Sequence, residues 1–147
     1  DNGEYGFPQD CVKALRLWHQ AGRLGCSGAY TNIGSAYFKG ESGMERNLRK
    51  AKQYYELAAM GCPSARHNLG LCEELVGNVT RAAKYFTIAA GCGHEDSLKQ
   101  IRMIYSEGYA TKGDYEKALR AYQTYLIEIR SDQRDRDAAF TERYKYY

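Results

Sequence analysis

Three histidines (His19, His67, His94), five cysteines (Cys11, Cys26, Cys62, Cys72, Cys92) and the carboxylate pair Glu73-Glu74 are the side chains here suited to metal binding or acid–base chemistry. Zinc sites gather Cys and His in close pairs so that neighbouring ligands reach one ion. Cys62, His67 and Cys72 instead lie five apart, a spacing that scatters side chains around a helix. The three histidines fall in different parts of the chain and predict no shared site. Adjacent carboxylates on a helix point about 100° apart, so Glu73 and Glu74 do not predict a shared proton. Walker, GxGxxG and GxSxG motifs are absent. The expectation is no catalytic, metal or cofactor-binding residue, hence a protein that is not an enzyme.

An odd cysteine count without a CxxC pair fits reduced thiols in a cytoplasmic setting better than a disulfide framework. Cys26, Cys62 and Cys92 recur in corresponding connections and read as small residues tolerated in tight turns. Asn78-Val79-Thr80 is a glycosylation sequon, but Asn78 is better explained as a helix cap. The cluster Arg46, Arg49, Lys50, Lys52 predicts a solvated outer helix face, and a net charge of +3 is too small to suggest nucleic acid. Hydrophobic content of 44% with 27% charged residues is globular, and no apolar run approaches a membrane span. The chain begins without methionine and reads as a piece of a longer protein, a monomer or part of a longer array.

What must position any functional residue is a repeat. The element D/N-x-x-K/R-A occurs at Asp10…Ala14, Asn47…Ala51, Asn78…Ala82 and Asp114…Ala118, at offsets of 37, 31 and 36 residues. Asp or Asn at a helix N-cap accepts a hydrogen bond from an orphaned first-turn amide. Behind each cap lies an i, i+3, i+4, i+7 stripe: Leu17, Trp18, Ala21; Tyr54, Tyr55, Ala58; Tyr85, Phe86, Ala89; and, more loosely, Ala121, Tyr122, Tyr125. Gly25, Gly61, Gly91 and Gly93 are placed to allow the chain reversal. Between these cassettes a first helix repeats as Ala29, Ile33, Gly34, Tyr37, then Ala65, Leu69, Gly70, Glu73, then Ser97, Ile101, Arg102, Tyr105. Gly3 and Gly6 precede Asp10 as Gly40 and Gly43 precede Asn47, and Pro8 and Pro63 fall in connections. The predicted division is a truncated repeat at 1–26, repeats at 27–62, 63–92 (its loop six residues shorter) and 93–130, and a capping helix or frayed tail at 131–147, with Ser131 and Asp132 as caps.

The combination resembles the Sel-1-like repeat family, relatives of the tetratricopeptide repeats, over about residues 3 to 126. The residues carrying it are Ala29, Ile33, Gly34, Tyr37; Gly40, Gly43; Asn47, Lys50, Ala51; and Tyr54, Tyr55, Ala58, Ala59, with Gly61 one place early. Arg102 in place of glycine and Glu73 in place of tyrosine depart from the pattern. The resemblance implies an all-α superhelix (solenoid) of antiparallel helix pairs, and a scaffold or adaptor holding a protein or peptide on the concave face of its first helices. By that analogy the partner-binding positions are Thr31, Ser35 and Phe38; His67, Leu71 and Glu74; and Lys99, Met103 and Ser106. One apolar residue per repeat in that set (Phe38, Leu71, Met103) hints at a partner, since exposed apolar surface costs solubility. The competing expectations are a spacer without a ligand and a hydrolase, an activity proposed for some bacterial relatives.

Overall fold

The computed structural model describes residues 9–41 and 44–145, without the side chains of residues 9–12 and 144. Gly3, Gly6, Pro8 and Gly43 lie outside the described residues. Seven helices and no strand occur among them: α1 Gln9–Arg23, α2 Ser27–Lys39, α3 Leu48–Ala58, α4 Pro63–Leu75, α5 Val79–Gly91, α6 Glu95–Ser106 and α7 Lys112–Tyr144. Helices α2 and α3, α4 and α5, and α6 and α7 pack as successive antiparallel pairs, α1 lies on α2, and α3 on α4. The fold is an all-α solenoid. No helix among the described residues is long and apolar enough to cross a membrane.

Two of the predicted caps are formed. Asn47 Oδ1 accepts from the Lys50 amide at 3.0 Å, and Asn78 Oδ1 from the Arg81 amide at 3.4 Å. The other two are corrected. Helix α1 is already running at Gln9, so Asp10 lies inside it. Asp114 is the third residue of α7, whose cap is Thr111: Thr111 Oγ1 accepts from the Asp114 amide at 3.1 Å and Asp114 Oδ2 from the Thr111 amide at 3.0 Å. This capping box satisfies two orphaned donors reciprocally. Thr111→Ala is expected to lower the free energy of unfolding by about 1 kcal/mol, measured by urea denaturation.

The unequal loops close in the same way. The Asn47 amide donates to the Tyr37 carbonyl and the Asn78 amide to the Glu73 carbonyl, each at 2.8 Å, and these acceptors hold equivalent first-helix positions. The longer loop fills its extra space with buried Met44. Pro63 is the first residue of α4, where its missing N–H costs nothing.

The stripes of α3 and α5 do what their spacing predicts, whereas Leu17 of the α1 stripe is exposed. Ala51, Tyr55 and Ala58 of α3 meet Ala65, Leu69 and Cys72 of α4 in one core; Ala82, Ala83 and Phe86 of α5 meet Ile101 and Ile104 of α6 and Ala118 of α7 in a second. Two second-helix rings, those of Tyr55 and Phe86, come close to the first-helix backbone where glycine admits them. A Cβ on Gly34 would stand 2.7 Å from the Tyr55 ring, and one on Gly70 would collide with Phe86. The third pair has Arg102 at that position, and its side chain is turned to solvent. There α7 leans on α5 as well as α6, seating Ala121 against Gly91 and the Tyr125 ring against Gly93. Gly93 therefore serves both its left-handed turn (φ 88°) and a close approach. Helix α7 runs without a break through Ser131 and Asp132, so neither residue is a cap.

Candidate interaction face

The nine predicted positions fall on α2, α4 and α6 and differ widely in what they offer. Thr31 is buried, its hydroxyl donating to the Ser27 carbonyl, and it has little surface for a partner. Ser35 accepts from the Tyr55 hydroxyl at 3.2 Å, and burial pushes that phenol up to about 12 against the opposing hydrogen bond. Phe38 and Leu71 are half-buried against the two cores; the Arg46 guanidinium lies 5.7 Å from the Phe38 ring centre. Glu74 is partly exposed and accepts from Gln100 Nε2 at 2.8 Å. On α6 all three positions are exposed: Lys99 pairs with Glu95 at 3.1 Å, Met103 is 44% exposed, and Ser106 donates to the Met103 carbonyl.

His67 is not isolated, contrary to the sequence expectation. Its Nδ1 lies 2.9 Å from Ser97 Oγ, and His94 Nδ1 lies 2.9 Å from the same oxygen. The two imidazoles are 4.7 Å apart between centres, and His67 also tilts onto Phe86. His67 sits in the first turns of α4 and His94 caps α6; stacking successive first helices brings these ends together although 27 residues separate them in the chain. Burial, then the facing His94, holds His67 down to about 4. Ser97 and Gln100 were missed from sequence. Ser97 carried a signal, since Ala29 and Ala65 hold its position in the other pairs.

The remaining chemically equipped residues serve the scaffold. Glu73 is 2% exposed and pairs with Lys52 Nζ at 2.5 Å, while Glu74 turns to α6, so the two carboxylates diverge as predicted. Lys52 thereby leaves the solvated basic cluster; that hydrogen bond raises it above its ordinary value. Lys50 lies 5.2 Å from the Tyr37 ring centre, and Tyr37 stacks on Tyr54 at 5.7 Å with His19 edge-on behind. Cys26, Cys62, Cys72 and Cys92 are free thiols, and burial pushes the Cys72 thiol up to about 11. Among the described residues no three of His, Cys, Asp or Glu gather as a metal set.

Three comparisons bear on this geometry. The Sel1 repeat family model matches residues 1–26, 27–61, 63–94 and 103–122, most of the chain. The crystal structure of a Sel1 repeat protein from Oxalobacter formigenes is similar, with a TM-score of 0.65 and 27% identity over 82% of this chain and 51% of that one. The chain thus spans about half the length of that solved protein, and no curated protein matches it. With helix pairs, glycine-admitted rings and capped second helices in register along it, the chain belongs to the Sel1 repeat family.

Proposed function

We propose that the chain is a scaffold or adaptor segment that holds a protein or peptide partner along the concave face formed by α2, α4 and α6. Sel1 repeats are generally protein-interaction modules, and the family is typically non-enzymatic. The observation that carries the reading is Met103, a large apolar side chain 44% exposed on α6 at the register position where α4 carries the half-buried Leu71; on α2 that position is Ser35, and the half-buried Phe38 stands three residues further on. A stripe of this kind, with Lys99, Glu74 and Ser106 beside it, has the apolar centre and polar rim of a binding surface. The reading places the chain in a reducing, cytoplasm-like compartment, in keeping with four free thiols among the described residues.

The test is a pull-down from cell extract followed by affinity measurement on the purified partner. Phe38 and Leu71 also pack the cores, so the informative substitution is Met103→Ser, with Ile88→Ser on exposed α5 surface as control. Both variants are expected to stay folded, because surface changes cost within about 0.5 kcal/mol. Met103→Ser should weaken binding about tenfold, as loss of an apolar anchor does, with the control unchanged. Equal, nonspecific retention by all three proteins would leave a spacer, and equal specific binding would overturn the assignment to this face.

A further inference from the structure

The backbones of α4 and α6 are not among the closely packed helix pairs. What joins them is largely side chain: Glu74 to Gln100 far along the helices, Leu71 above the second core, and at the near end the two histidines on Ser97. Ser97 is fully buried, and the two ring nitrogens are its hydroxyl's hydrogen-bond partners among the described residues. A hydroxyl has one proton to give. With both rings neutral the bridge is consistent: one Nδ1–H donates to Oγ, and Oγ–H donates to the other Nδ1. A second ring proton converts that acceptor nitrogen into a donor, so the hydroxyl proton loses its place. Double protonation also sets two positive charges on rings 4.7 Å apart.

We propose that His67, Ser97 and His94 form a proton-operated joint between the α4–α5 pair and the α6–α7 pair, closed when the rings are neutral and opened on acidification. The groups facing His67 do not cancel this. His94 opposes its charge from the α5–α6 connection, Asp96 of α6 favours it more weakly, α5 presents the uncharged Phe86 ring, and Arg66 on α4 donates to Cys92 Sγ. His67 is held at about 4 against an ordinary 6.5. The closed state therefore keeps its full advantage above pH 6.5, loses it progressively as pH falls towards 4, and changes no further below. Opening would part His67 and Glu74 from Lys99 and Met103, dividing the proposed binding face. That regulatory consequence rests on the reading of this face given above; the joint itself does not.

The experiment therefore contains no partner. Hydrogen–deuterium exchange, corrected for the intrinsic pH dependence, is followed on the intact chain between pH 7.5 and 4.5, with imidazole signals read by NMR in parallel. Opening of α4 and α6 should grow about 70-fold over that range while α2 and α3 change much less, the factor following from a proton bound preferentially by the open state. In His67→Gln, which can still hydrogen-bond Ser97 but not titrate, this increase should vanish. The same pH response in His67→Gln, or a folded His67 titrating near 6.5, would overturn the joint. The NMR arm needs no variant, so the proposal is decided even if His67→Gln does not fold. Loss of partner binding in Met103→Ser would be untouched by either result.

Discussion

Phe86→Ala is expected to lower the free energy of unfolding by about 3–5 kcal/mol, near the top of the range for single truncations. The ring is fully buried at the centre of the second core, against Ile101 and Ile104, and beneath His67. It reaches α4 only because residue 70 is glycine; a Cβ there would come closer than 3.0 Å to three ring atoms. Gly70→Ala should therefore destabilise by about 1–3 kcal/mol, the usual cost of overpacking, although alanine is the better helix former. In a Phe86→Leu background the obstruction is gone, and Gly70→Ala should become nearly neutral. Urea denaturation of the four proteins gives a double-mutant cycle with a coupling of about 1 kcal/mol or more. A Gly70→Ala cost that is equal in both backgrounds would show that the ring is not what the glycine serves.

This contact was half legible in the sequence. The stripes, the family resemblance and the solenoid follow from periodicity, because the positions a helix buries recur every three to four residues whatever lies opposite. Which residue lies opposite is another matter. Asp114 fits D-x-x-K-A as well as Asn47 does, yet an acidic residue suits the third helical position as well as the cap, and only the Thr111 hydroxyl decides between them. Ser131 and Asp132 have cap-forming side chains, but no glycine or proline breaks the helix before them, and α7 continues through. Arg102 reads as a damaged repeat; in space it marks where α7 shifts towards α5. Of the predicted face, Lys99, Met103 and Ser106 are exposed, while Thr31 faces inward on an α2 packed by both α1 and α3. The His67–Ser97–His94 bridge joins neighbouring repeats, so no pattern within one repeat contains it.

Glu73 carries the other large expectation, since the residue that looks like a lost tyrosine is an ionic tie between repeats. Its side chain is 3% exposed and that of Lys52 33%. Removing the lysine leaves a buried carboxylate uncompensated, which costs about 3–5 kcal/mol when both partners are fully enclosed. Because water reaches Lys52, Lys52→Met should cost less, about 2–3 kcal/mol at pH 7, at or below the lower end of that range. The double variant Lys52→Met/Glu73→Leu removes the desolvated charge as well as its partner. It should return to within about 1 kcal/mol of the parent, as apolar replacements of buried pairs do. Alkaline pH supplies the second readout. Hydrogen bonding to Glu73 raises Lys52 above 10.5, so its contribution is complete below pH 10.5 and fades as pH climbs through the raised value. Denaturation at pH 7 and pH 11 should accordingly show the parent losing more stability than the double variant. If instead Lys52→Met alone proves as stable as the parent at pH 7, Glu73 is tolerated without its cation, and α3 and α4 are held by Tyr55, Leu69 and the alanines around them.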